Sequence, residues 1–126
     1  MIQYTDKLMQ HFRQPHNQGV IKKADAIGQV GNKRCGDIMK VYLKIKKNKI
    51  EDIKFETLGC AAAIATSSVL TDLAKGKTLS SALKISKNEI VDELGGIPAE
   101  KFHCSVLAEE ALKQAIENYQ GKSKKA

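Results

Sequence analysis

Three cysteines occur in this chain, Cys35, Cys60 and Cys104, each in a short stretch that could support chemistry. The stretches are Gly31-Asn32-Lys33-Arg34-Cys35-Gly36-Asp37, Gly59-Cys60-Ala61 and Phe102-His103-Cys104-Ser105. A thiolate is both a nucleophile and a soft metal ligand. A tetrahedral zinc ion or a [2Fe–2S] cluster takes four protein ligands. Three thiols leave one position open, which Asp37, one glycine away from Cys35, or His103, adjacent to Cys104, can fill. The spacing does not choose between them. A carboxylate or imidazole in that position holds an iron–sulfur cluster less firmly than a fourth thiolate does. Such a site suits a protein that gives its cargo away better than a permanent redox centre. Against this stands the plain reading of a free cysteine as a small buried hydrophobe. It fits Cys104 taken alone, and fits Cys35 poorly, in a polar glycine loop beside a carboxylate.

The composition narrows the alternatives. An odd number of widely spaced cysteines argues against a disulfide framework, and the lack of any CxxC pair argues against a zinc ribbon or a thioredoxin-type site. The N-terminal residues 1–7 lack a secretory pattern, and no apolar run approaches the ~18–20 residues of a membrane span. The expectation is a cytoplasmic protein with free thiols and no membrane partner. A net charge of +7 is compatible with nucleic-acid binding. The lysines are scattered, however, and three of them (Lys122, Lys124 and Lys125) fall at the C-terminal end without any RNP, zinc-finger or helix-turn-helix pattern. A solvated basic surface is therefore expected, with no nucleic-acid partner. Hydrophobic residues make up 42% of the chain, with no Trp, so the core should be aliphatic and alanine-rich. One domain, 1–126, is expected, with a disordered basic tail from about residue 120.

The elements that must position these residues follow from periodicity. Residues 4–14 read as a helix with Leu8, Met9 and Phe12 on one stripe, stopped by Pro15. Asn17-Gln18-Gly19 reads as a turn, residues 20–26 as irregular, residues 27–30 as a weak strand and residues 31–37 as a loop. Val41, Leu43 and Ile45 alternate with polar residues, as do Ile53, Phe55 and Thr57, with Lys47-Asn48-Lys49 between the two runs. This is an antiparallel hairpin with one aliphatic face. At Cys60 the period becomes helical, with Ala62, Ala65, Val69 and Leu73 as the stripe and Gly76 as the stop. Thr78 or Ser80 caps a short helix, and Ser86-Lys87-Asn88-Glu89 spells a capping box for another. The last helix begins at Ile97-Pro98-Ala99 and carries Cys104 on its buried side. The fold class is α+β: a small antiparallel three-stranded sheet with helices on one face. Each cysteine then lies at the end of an element, and element ends can meet at one edge of such a domain. Helix N-termini carry partial positive charge, which favours thiolates.

These stretches, with Phe12-Arg13-Gln14-Pro15-His16-Asn17-Gln18-Gly19, residues 59–68 and residues 103–110, resemble the IscU/NifU-type iron–sulfur cluster assembly scaffolds from Tyr4 to about Tyr119. The resemblance implies the IscU-like fold and a non-enzymatic scaffold. A transient [2Fe–2S] cluster is built on such a scaffold from Fe2+ and desulfurase-derived persulfide sulfur, then passed to apo-proteins. By position it implies Cys35, Cys60 and Cys104 as ligands, with Asp37 and His103 as accessory or fourth ligands. It also implies Cys104 as the persulfide acceptor and Asp37 as the residue that keeps the cluster labile. The implied partners are a cysteine desulfurase and apo iron–sulfur acceptor proteins. A frataxin-like protein, a ferredoxin and an Hsp70-type chaperone are candidate further partners. The family's chaperone-binding stretch is altered here to Ile97-Pro98-Ala99-Glu100-Lys101. The oligomeric state implied is a monomer or a homodimer, cluster-bridged or asymmetric. The alternative is a zinc-bound sulfur acceptor of the SufU-like branch, since Zn2+ suits the same donors. No clear insertion of the kind that branch carries is seen within residues 61–103.

Overall fold

The computed structural model of the protein describes residues 4–32 and 36–125. Its elements run α1 (Asp6–Arg13), β1 (Ala26–Asn32), β2 (Asp37–Lys46), β3 (Lys49–Leu58), α2 (Ala61–Ala74), α3 (Leu79–Ala82), α4 (Lys87–Glu93), a 3-10 turn (Ala99–Lys101) and α5 (Phe102–Lys125). The three strands form one antiparallel sheet in the order β1-β2-β3, and α2 and α5 lie across its aliphatic face.

The β2–β3 hairpin closes through Lys47 and Asn48, both with positive φ (52° and 64°). This is the backbone sense that matches the right-handed twist of paired strands. Met39, Val41, Leu43 and Ile45 alternate inward from β2, and Ile53 and Phe55 from β3, all of them buried. The opposite face is polar, with Tyr42 donating to Glu56 Oε1 and Lys40 over the Tyr42 ring.

Two features control how closely the helices approach. A Cβ on Gly28 in β1 would meet the Ala111 carbonyl oxygen of α5 at 2.3 Å and the Ala115 amide at 2.4 Å. Glycine on the strand and alanine on the helix thus let the two backbones touch, which explains the alanine-rich face of α5. Second, α2 is buried nearly all round, beyond the single stripe expected. Thr66, Ser67, Ser68 and Thr71 are all buried, and each is hydrogen-bonded. Thr66 and Ser67 donate to the Ala63 carbonyl, and Thr71 donates to the Ser68 carbonyl. These bonds offset the cost of burying a hydroxyl.

Several boundaries differ from those read off the sequence. α1 starts after its N-cap Thr5, whose side chain accepts from Leu8 N–H, and Phe12 of the expected apolar stripe is 37% exposed. The described ends of the stretch 31–37 are strand where the sequence suggests a loop. Gly31 and Asn32 pair with Ile38 and Asp37, so β1 and β2 each reach further. A 3-10 turn precedes α5, so the last helix starts at Phe102 and not at residues 97–99. α5 then continues to Lys125, past the residue at which a disordered tail was expected, and lysine is a good helix former. The Ser86–Glu89 capping box and the left-handed Gly76 (φ 86°) are as the sequence reads.

Candidate metal centre

Four of the five expected ligands converge at one end of the sheet. Asp37 is the first residue of β2, Cys60 is the N-cap of α2, and His103 and Cys104 lie in the first turn of α5. His103 Nε2 meets Asp37 Oδ2 at 2.7 Å, and Cys104 Sγ lies 3.7 Å from the same nitrogen. Cys60 Sγ and Cys104 Sγ are 4.0 Å apart. Two thiolates on one tetrahedral zinc, with Zn–S of about 2.3 Å, stand about 3.8 Å apart. The observed separation is therefore close to that of two ligands on one ion and far from a bonded disulfide. The donor atoms of Asp37, His103 and Cys104 all fall within 4.8 Å of one another. Cys35 lies outside the described residues. Asn32 and Asp37, which flank its stretch, are opposed in the β1–β2 ladder.

The local sequence explains how a carboxylate fits here. Asp37 is only 5% exposed. A Cβ on Gly59 would stand 2.5 Å from Asp37 Oδ1 and 2.9 Å from Ala63 Cβ. Gly59 therefore makes the space into which Asp37 turns. The carboxylate's burial is offset by its bond to His103, whose side chain is 44% exposed. Asp37 and His103 hold each other through Oδ2 and Nε2, so recruiting either of those two atoms as a fourth metal ligand breaks that bond.

Cys60 caps α2 only through its backbone. Its carbonyl accepts from Ala63 and Ile64 N–H, and its side chain makes no capping bond, so the thiol is free for other contacts. Cys104 is fully buried. Burial, followed by the neighbouring Cys60 and Asp37, pushes its thiol well above the usual range, while Lys101 works in the opposite direction. Lys101 is itself raised, chiefly by the charge of Cys60 and then by Tyr4, Cys104 and Asp37. Its charge thus acts on the two thiols. In the sequence, Lys101 stands only as part of a partner-binding stretch, and the role of Gly59 is not visible. The signals available were a glycine directly before Cys60 and a lysine three residues before Cys104.

This donor set on this fold defines a class. Residues 3–126 match the family model of the NifU-like N terminal domain, and the chain belongs to that family. The chain is 56% identical over 116 residues to the iron-sulfur cluster assembly scaffold protein IscU 1 of Archaeoglobus fulgidus, covering 92% of this chain and 76% of that one. It is 44% identical over 119 residues to the IscU scaffold of Aquifex aeolicus, covering 93% and 76%. Against the nitrogen fixation protein NifU of a Nostoc species it is 47% identical over 129 residues, 96% of this chain but 43% of that longer protein. In fold it resembles a SufU protein of Fervidobacterium islandicum, with a TM-score of 0.77 at 24% identity over 90% of this chain and 96% of that one. It also resembles a NifU-like N-terminal domain of Brucella abortus, with a TM-score of 0.72 at 22% identity over 93% and 94%. The three-stranded sheet with helices on one face is thus the fold of these proteins.

Proposed function

We propose that this protein is a scaffold on which a transient iron–sulfur cluster is assembled and from which it is handed to acceptor proteins. The observation that carries this reading is the convergence of Asp37, Cys60, His103 and Cys104, with the two thiols 4.0 Å apart and the carboxylate and imidazole 2.7 Å apart. The scaffold names of the relatives support it. Cys35, two residues before Asp37, is the third thiolate ligand, and chain geometry limits the Cα separation of the two to about 7 Å.

Iron and persulfide sulfur are the substrates and the product is a [2Fe–2S] cluster, each persulfide sulfur taking two electrons from an electron donor of the ferredoxin class to become cluster sulfide. Cys60, Cys104 and Cys35 supply soft donors for iron. A cysteine desulfurase delivers the sulfur. The Cys104 thiolate attacks the outer sulfur of the donor's persulfide, and the donor cysteine leaves as a thiolate. Lys101 favours that anionic form, and burial opposes it. Asp37 and His103 compete for each other as well as for the fourth position, and this competition keeps the cluster easy to release. The protein acts by binding and transfer and has no turnover chemistry of its own. It works in the cytoplasm as a monomer or as a cluster-bridged or asymmetric homodimer. Its partners are the desulfurase and apo iron–sulfur proteins, with a frataxin-like protein, a ferredoxin and an Hsp70-type chaperone as further candidates.

The donor set supports one other reading. Thiolates with one carboxylate or imidazole also make a tetrahedral zinc site, in which Cys104 exchanges off the metal to accept sulfur. Anaerobic reconstitution with iron, cysteine, a desulfurase and a thiol reductant, followed by absorbance and iron counting, separates the two. A scaffold gains about one cluster per site. A folded protein that gains no cluster, yet stimulates the desulfurase only when zinc is bound, is the sulfur acceptor.

A further inference from the structure

A second group of metal-ligating side chains lies where α1 meets α2. His11 is in the last turn of α1, His16 follows Pro15, and Asp72 is near the C-terminal end of α2. Their donor atoms all lie within 4.8 Å of one another. The two imidazole rings stand 4.8 Å apart between centroids. His16 Nδ1 meets Asp72 Oδ2 at 2.6 Å, and His11 Nδ1 meets Ser68 Oγ at 2.7 Å.

The frame around these groups is built in detail. Ser68 is fully buried and accepts the His16 amide at 2.8 Å. Thr71 Oγ1 reaches the His16 carbonyl at 3.3 Å. Asn17, held at φ 60°, donates through Nδ2 to Thr71 Oγ1 at 3.1 Å and to Asp72 Oδ1 at 3.4 Å. One oxygen of Asp72 is therefore steered by Asn17 while the other faces His16. Metal-binding histidines and carboxylates use this kind of outer support. Burial, and after it the neighbouring His16, lowers the pKa of His11. His11 and His16 open onto a surface hollow of about 300 Å³, shared with Gln10 and Gln14. The simpler view is an ion pair between His16 and Asp72 that clamps the two helices. With side chains 54% and 41% exposed, such a pair contributes little by itself.

We propose that His11, His16 and Asp72 form a second binding site for a divalent transition-metal ion of the zinc class, separate from the thiol end. Two imidazoles and a carboxylate suit zinc and its neighbours, and the lack of a thiolate makes the site unsuited to an iron–sulfur cluster. Three protein ligands leave one position for water or for a donor from a partner. The ion takes the place of the hydrogen between His16 Nδ1 and Asp72 Oδ2, the neutral ring then carries its hydrogen on Nε2, and a proton goes to solvent only from a protonated His16.

The chain has three histidines, so NMR of the imidazole nitrogens resolves the question directly. In a zinc titration of the full-length protein, His103 reports the thiol end, and His11 and His16 report the second site. Two separable events are expected. His16→Ala and Asp72→Asn, both at exposed positions, should weaken the His11/His16 event at least about tenfold and leave the His103 event unchanged. Melting curves verify that both variants are folded. His11 and His16 rings that stay unshifted once the thiol end is saturated overturn the proposal. So does a second event of equal strength in both variants.

Discussion

Two histidine–carboxylate pairs of nearly equal length occupy opposite kinds of environment. His103–Asp37 spans 2.7 Å and His16–Asp72 spans 2.6 Å. The Asp37 side chain is 7% exposed and sits beneath two thiols, whereas that of Asp72 is 41% exposed at a helix joint. The bond lengths do not distinguish them, but the surroundings do. At the thiol end, glycine and the start of a strand carry a carboxylate into a place where it must be paired. At the helix joint, water can replace either partner. A buried pair costs several kcal/mol to break, and an exposed one ~1 kcal/mol or less.

Substitutions that test this difference can be ranked by expected effect. Gly59→Ala places a Cβ 2.5 Å from Asp37 Oδ1, and the carboxylate has to move. A stability loss of about 3 kcal/mol is expected, with loss of metal binding at the thiol end, read by urea unfolding and zinc titration. His103→Ala leaves Asp37 buried and unpaired. Because His103 is itself 44% exposed, the expected loss is about 2 kcal/mol, below the full cost for a buried pair, again read by urea unfolding. Asp72→Asn should cost under about 1 kcal/mol in the same assay. Equal losses for His103→Ala and Asp72→Asn would show that burial does not separate the two pairs.

A third carboxylate sharpens the comparison. Glu109 on α5 accepts the Lys87 amide at 2.6 Å and pairs with Lys113 at 3.1 Å. Burial raises its pKa, but the Lys113 side chain and the Lys87 amide outweigh that effect and hold it below the usual range. A carboxylate lowered on folding contributes stability that is complete above its unfolded pKa, about 4.3, and is lost as pH falls through the folded value. Glu109→Gln should therefore flatten the acid limb of the stability curve below about pH 4.3 while leaving its shape near neutrality unchanged.

Much of the thiol end could be read from the chain because its signals are local. A thiol one glycine from a carboxylate, a cysteine where a helical period begins and a histidine beside a cysteine are each visible within a few residues. The β2–β3 hairpin and the Ser86 capping box are visible for the same reason. What escaped depends on contacts between distant residues. Gly28 reads as a weak point in a strand until Ala111 and Ala115 are found against it. The hydroxyls of Thr66, Ser67, Ser68 and Thr71 fall outside the Ala62, Ala65, Val69, Leu73 stripe, and only the packing shows α2 buried nearly all round. His11, His16 and Asp72 come together only when α1 packs on α2, because Pro15 and the left-handed Asn17 turn the chain back toward that helix.

The most direct test of the account is cluster transfer from the reconstituted protein to an apo-acceptor, compared between the wild type and Asp37→Ala. If Asp37 and His103 keep the site exchangeable, the variant holds its cluster longer and transfers it more slowly, with folding verified by melting. A transfer rate and cluster lifetime equal to those of the wild type would contradict that role for Asp37.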